Sequence, residues 1–164
     1  MNIIIPVVED AKRFSDFLKK TAGETIYLSF DVEEAPDSEA CESMIRILSL
    51  GKNIIYLAEI GGSIAGSITL RGRDNRKRLS HVGEIGIVVA RDYWGQGIGK
   101  QLLNKVIDHA KSVGMEKLSL KVLDDNERAV ALYEKLGFIR EGLLIDEVKI
   151  EGVNYNYIVM GLFI

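Results

Sequence analysis

Three glycines at alternate positions, Gly95, Gly97 and Gly99, separate an apolar stretch, residues 85–90, from a long amphipathic one, residues 98–110. The first stretch reads as a buried strand and the second as a helix. The chain must therefore turn from one to the other within the run Arg91-Asp92-Tyr93-Trp94-Gly95-Gln96-Gly97-Ile98-Gly99-Lys100. A helix that starts this way presents unpaired backbone N–H groups, with no side chains on the glycines to screen them. Such a turn is a ready site for a phosphate or pyrophosphate. The question narrows to which phosphate-bearing ligand it serves.

The rest of the chain is consistent with an ordinary folded domain. Its 164 residues suffice for a core, and residues 1–164 read as a single domain. Apolar residues make up 47% and charged residues 27%, which excludes a disordered chain. The net charge of -3 supplies no bulk positive field, so nucleic acid is not the expected partner. The lone cysteine, Cys41, allows neither an internal disulfide nor a thiolate metal cluster. No metal is expected, and a reducing compartment fits. The apolar run at residues 3–8 is short for a signal-peptide core and ends at Glu9-Asp10, and no stretch reaches membrane-spanning length. The expected location is the cytoplasm.

Glycine does most of the punctuating. Residues 3–7 read as a strand and residues 10–23 as a helix with Phe14, Phe17 and Leu18 on one side. Residues 38–50 read as a second helix, with Ser38 as N-cap and Gly51 past its end. Two apolar runs, 54–60 and 64–70, flank Gly61-Gly62, which is a hairpin signal. A polar loop, 71–80, leads to a strand at 82–89. The clearest helix follows, with Ile98, Leu102, Leu103, Val106, Ile107 and Ala110 on one face and Gly114 as its stop. A strand at 118–122 precedes a helix at 126–136, capped by Asn126 and stopped by Gly137. Two closing strands, 138–150 and 155–163, turn near Gly152. The sum is a mixed α/β (α+β) layer with about seven mostly antiparallel strands.

Two familiar phosphate-binding patterns fail. A Walker A loop would need a glycine where Trp94 stands and a serine or threonine where Gln101 stands. A dinucleotide fingerprint would need a glycine at Lys100 and a parallel βαβ unit instead of a preceding hairpin. What remains is Gly-x-Gly-x-Gly leading directly into a helix. This run resembles the acetyl-CoA loop of the GNAT N-acetyltransferase superfamily, with Gly97 and Gly99 at its two glycine places and Trp94 where the family carries Arg or Gln. A second run, Asn126-Glu127-Arg128-Ala129-Val130-Ala131-Leu132-Tyr133-Glu134-Lys135-Leu136-Gly137-Phe138, resembles the family's Asn-x-x-Ala-x-x-x-Tyr-x-x-x-Gly-Phe signature. The resemblance covers about residues 53–163. Its closest look is to bacterial ribosomal-protein N-terminal acetyltransferases.

The resemblance implies helices on both faces of the sheet and acetyl-CoA as co-substrate. Trp94, Gly95, Gln96, Gly97, Ile98, Gly99 and Lys100 would form the pyrophosphate cradle. The backbones of Ile87 and Val89 would bond the pantetheine arm, with a strand N–H near Val89 polarising the thioester. Asn126 would bond the arm from the other side, cap its helix, or do both. Tyr133 stands at the family's acid position, where a phenol can protonate the departing sulfur; a core tyrosine is the other reading. Glu84 stands where some members carry a catalytic base, and equally where a strand-edge glutamate meets solvent. Lys117 and Lys121 occupy the strand on which other members carry that glutamate. His81 and His109 are expected to be structural and solvated, respectively.

The acceptor is read as a primary amine on a small molecule or peptide. The acidic run Asp31, Glu33, Glu34, Asp37 and Glu39 either forms an attracting wall for a cation or is a solvated loop. The basic run Arg71, Arg73, Arg76, Lys77 and Arg78 either contacts an anionic acceptor, the cofactor's adenosine phosphate or RNA, or is a solvated hairpin loop. The tyrosine-bearing end, Tyr155, Tyr157 and Met160, is where two copies would pair in a homodimer. The competing function is a CoA-binding sensor or regulatory module without turnover.

Overall fold

A computed structural model describes residues 1–73 and 76–164. Among these, β1 (Asn2–Ile4), β2 (Ile54–Ile60), β3 (Ser63–Gly72), β4 (Val82–Val89), β5 (Lys117–Leu123), β6 (Ile139–Ile150) and β7 (Val153–Phe163) form one sheet. Its order is β1-β2-β3-β4-β5-β7-β6. Every neighbouring pair is antiparallel except β4 and β5, which run parallel. Four helices complete the fold: α1 (Ala11–Ala22), α2 (Ser38–Ile47), α3 (Ile98–Ser112) and α4 (Glu127–Lys135).

The alternation of side chains along the strands divides the core in two. On one face, Ile98, Leu102, Leu103, Val106 and Ala110 of α3 and Val130 and Tyr133 of α4 pack on Tyr56, Ile68, Leu118, Leu120 and Met160. On the other, Phe14, Phe17 and Leu18 of α1 and Cys41 and Ile45 of α2 pack on Ile55, Leu57 and Ile64. Helices thus cover both faces, with α1 and α2 seated over β2 and β3.

The β2–β3 hairpin turns on Gly61 and Gly62, whose φ values of 58° and 82° are those of a two-residue hairpin turn. Several boundaries differ from the sequence reading. β1 stops at Ile4, because Pro6 has no N–H for a ladder and residues 8–10 wind into a 3-10 turn. Asp37, not Ser38, caps α2: its Oδ1 accepts from the amide of Ala40 at 2.8 Å. α2 ends at Ile47, short of Gly51, after which the chain takes further turns. In the 71–80 segment, Arg71 and Gly72 extend β3 and Lys77–Leu79 form a 3-10 turn; residues 74 and 75 lie outside the described residues.

Candidate functional site

β4 leads into a 3-10 turn, Arg91–Tyr93, and then into the glycine run. Gly95 and Gly97 adopt φ values of 79° and 78°, a region that side-chain-bearing residues avoid. A Cβ built on either meets nothing within 4 Å, so the space beside both glycines is open. Gly97 is the N-cap of α3 and offers no side-chain cap. The first α3 amide to find an in-helix partner is that of Gln101, bonded to the Gly97 carbonyl at 3.1 Å. The amides of Ile98, Gly99 and Lys100 therefore converge on the open space. Gly99 has a different task. Its missing Cβ would lie 3.2 Å from Leu132 Cδ2, so it lets the first turn of α3 approach α4.

The second feature is the parting of β4 from β5. The two pair only from Val82 to Glu84, against Lys117 to Ser119. Beyond Glu84, β4 stays paired to β3 alone, as far as Val89 opposite Gly66. The amide of Ala90 bonds the carbonyl of Ala65, so by antiparallel alternation the amides of Ile87 and Val89 point away from β3, into the gap. The carbonyl of Val89 faces the same way and accepts the indole N–H of Trp94 at 2.7 Å.

α4 forms the other wall. Asn126 caps it, with Oδ1 accepting from the amide of Ala129 at 3.2 Å. The Asn126 NH₂ group has no partner among the described residues. Two turns further on the same face stands Tyr133, buried and tilted against Phe138 with ring centroids 5.7 Å apart. Burial pushes its phenol up to about 12. Its hydroxyl has no protein partner, yet no side-chain polar atom is both sealed and unbonded among the described residues. The oxygen is therefore not fully sealed from solvent.

The model of the acetyltransferase (GNAT) family matches residues 21–138. The chain belongs to this family. A GNAT acetyltransferase structure from Streptococcus pneumoniae superposes on 99% of this chain and 98% of its own with a TM-score of 0.94 at 32% identity. The yncA structure from Salmonella typhimurium, described with its cofactor acetyl-CoA, covers 99% of this chain and 93% of its own with a TM-score of 0.90; at 18% identity it speaks for the fold. The spermidine N(1)-acetyltransferase of Escherichia coli K12 is 32% identical over 112 residues, 66% of this chain. The chain spans little more than half that relative's length, 57%.

In this GNAT chain the remaining site residues are scattered more widely. Glu84 sits where β4 and β5 last touch, opposite Ser119, with an exposed side chain 3.5 Å from the guanidinium of Arg73. Lys117 and Lys121 lie on the same open face of the sheet, paired with Glu141 at 2.5 Å and Glu147 at 3.3 Å. Gln96 uses its side chain within the loop, donating to the Asp92 carbonyl at 3.1 Å, and the Ile98 side chain is buried in the core. Lys100 is exposed. Cys41 is buried and its thiol is pushed up to about 11 by that burial, which leaves it unreactive. His81 is exposed, and its main-chain carbonyl accepts from the amides of Glu116 and Lys117. His109 is not solvated as its helical position suggested: Nε2 lies 3.3 Å from the Lys52 carbonyl and its ring meets Tyr56 edge-on.

Three features were not readable in advance. Glu24, just beyond α1, accepts from the Arg91 amide at 2.8 Å, and Lys20 pairs with Asp92 at 2.9 Å. The segment that carries the acidic run is thereby fastened to the turn before the glycines. Two guanidinium groups also lie over the Trp94 ring, Arg91 at 5.8 Å and Arg128 at 4.9 Å from its centroid. A cavity of about 700 Å³ between α2 and β3 has Arg71, the cross-strand neighbour of Glu84, on its wall. Among the described residues no group of three His, Cys, Asp or Glu side chains is placed to hold a metal, and no helix is long and apolar enough to cross a membrane.

Proposed function

We propose that this chain moves an acetyl group from acetyl-CoA to a primary amine of a small molecule or a protein N-terminus, by direct attack in a ternary complex. The observation that carries the reading is the parting of β4 from β5 beside an uncapped helix start. A diphosphate needs convergent N–H donors; an amide-containing arm needs a strand edge with free donors and acceptors. Both stand end to end here, in the order that coenzyme A presents them. The residues present fit the group: a side chain at Gly95 or Gly97 would fill the space it needs.

The amides of Ile98, Gly99 and Lys100 hold the diphosphate, favoured by the positive end of α3. The Val89 and Ile87 amides hold the arm and then the thioester carbonyl, and their fixed orientation suits the charge that develops on that oxygen. The Asn126 NH₂ group bonds the arm from the α4 side. Glu84 is three residues from Ile87, roughly 10 Å along a strand, so it takes the amine proton through water. The amine nitrogen then bonds to the acetyl carbon while the C–S bond breaks and the sulfur leaves with its electron pair. Tyr133 donates to that sulfur. Its phenol is a weaker acid than an ordinary thiol of pKa about 8.5, so it acts by hydrogen bonding as the bond breaks, and the shared burial raises the thiolate's affinity for the proton too.

The acidic segment between α1 and α2 favours a cationic acceptor. Since the E. coli relative is named for spermidine, polyamines head the panel, followed by peptide N-termini. The test is thiol release from acetyl-CoA with each amine, for the unaltered chain and for Tyr133→Phe. Turnover with any amine, reduced in the variant, supports the reading. Saturable CoA binding with no transfer to any amine would instead favour a sensor module.

A further inference from the structure

Arg128 stands in the first turn of α4, one helical turn before Leu132 on the same face. Leu132 is the residue that packs on the first turn of α3 at Gly99, so this face of α4 looks toward the glycine run. The guanidinium carbon of Arg128 lies 4.9 Å from the centre of the Trp94 ring. The ring itself cannot drift, because its N–H is bonded to the Val89 carbonyl at 2.7 Å. A guanidinium held over a ring by cation–π attraction spends none of its N–H donors on that contact. Among the described residues those of Arg128 meet no carboxylate and no carbonyl. Arg91, on the same ring, is committed to the Glu24 carbonyl instead.

We infer that Arg128 is a cofactor-binding residue: held on Trp94, it closes the phosphate site from the α4 side and contacts the diphosphate of coenzyme A. This rests on the reading of the glycine turn as the coenzyme A site. It also gives Trp94 a purpose. A tryptophan carries no charge to the phosphate, but it holds an arginine from a distant part of the chain where charge is wanted. The two sequence motifs then meet at one ligand group.

Trp94 is the sole tryptophan, so its emission reports on this site alone. Calorimetry gives Kd for CoA and for dephospho-CoA, which keeps the diphosphate and lacks the 3′-phosphate. Arg128→Ala is expected to weaken both ligands by the same factor, about tenfold or more, and to flatten the loss of affinity with added salt. Arg128→Lys, which keeps the charge and loses the planar stack, falls between. Free Arg128→Ala shifts the Trp94 emission while its melting temperature stays close to that of the unaltered chain. CoA affinity within twofold of the unaltered chain in Arg128→Ala overturns the inference. So does a loss seen with CoA and not with dephospho-CoA, which moves the contact to the 3′-phosphate. If the unaltered chain binds neither ligand, the proposed function itself falls.

Discussion

The carboxylate of Glu24 accepts a hydrogen bond from the main-chain N–H of Arg91 at 2.8 Å, across 67 residues of sequence. The Arg91 guanidinium in turn donates to the carbonyl of Glu24. Two segments with separate tasks, the acidic connection after α1 and the turn before the glycines, are locked to each other. Glu24→Ala leaves the Arg91 amide without its charged acceptor, and a loss of about 1–3 kcal/mol in urea unfolding is expected. The same variant should bind CoA several-fold more weakly in calorimetry, because the turn that aims the α3 amides loses its brace. Unchanged unfolding and binding would show that the brace is incidental.

Tyr133→Phe separates chemistry from binding. The ring keeps its packing on Phe138, so Kd for acetyl-CoA should stay within twofold while kcat falls by about a hundredfold or more. The raised phenol also makes a pH prediction. The folded state holds the Tyr133 proton up to about pH 12, whereas an unfolded tyrosine releases it near 10. The stability this confers is complete below pH 10 and is lost as pH climbs from about 10 to 12. Alkaline denaturation of Tyr133→Phe should therefore be shallower over that interval than that of the unaltered chain.

Two glycines test space in opposite ways. Gly97→Ala meets no protein atom, so its stability cost is that of the left-handed backbone, about 1–2 kcal/mol, and its Cβ enters the open cradle. CoA affinity should drop markedly. Gly83→Ala would put a Cβ 2.6 Å from Leu70 Cδ1 and 2.7 Å from Met115 Sδ. It should destabilise by about 1–3 kcal/mol through overpacking and leave CoA affinity nearly unchanged. Melting curves and calorimetry on the pair read both effects.

Glu84→Gln should slow transfer most where the amine is charged. At pH 7 a loss of up to about a hundredfold in kcat/KM is expected, shrinking as pH approaches the acceptor's own pKa, near 10 for an alkyl amine. A loss independent of pH would assign Glu84 to positioning the acceptor instead of taking its proton.

Local signals were the legible ones. The spacing from Ile98 to Ala110 fixed which side of α3 is buried, and Gly61-Gly62 fixed the hairpin, because both depend on neighbours in sequence. Asn126 was readable as a cap for the same reason. Asp37 and Ser38 are both capping residues, and the extended ψ of -178° at Asp37 together with its bond to the Ala40 amide decides between them. The helical face of His109 points to solvent by local spacing, and the Lys52 carbonyl and Tyr56 ring that cover it come from a chain segment some fifty residues earlier. The glycine loop was legible as a phosphate turn. The stacking of Arg128 on Trp94, the brace from Glu24 and the short β4–β5 pairing were not, since each joins residues that only the folded topology brings together.

Strands that part company in mid-sheet create an edge inside the molecule. Outer edges invite other sheets to add on, with self-association as the hazard. This inner one has β5 beside it, and on the proposed reading it takes a single slender, extended chain where another sheet would find no room. On that reading the architecture selects its guest by thickness before any side chain is consulted.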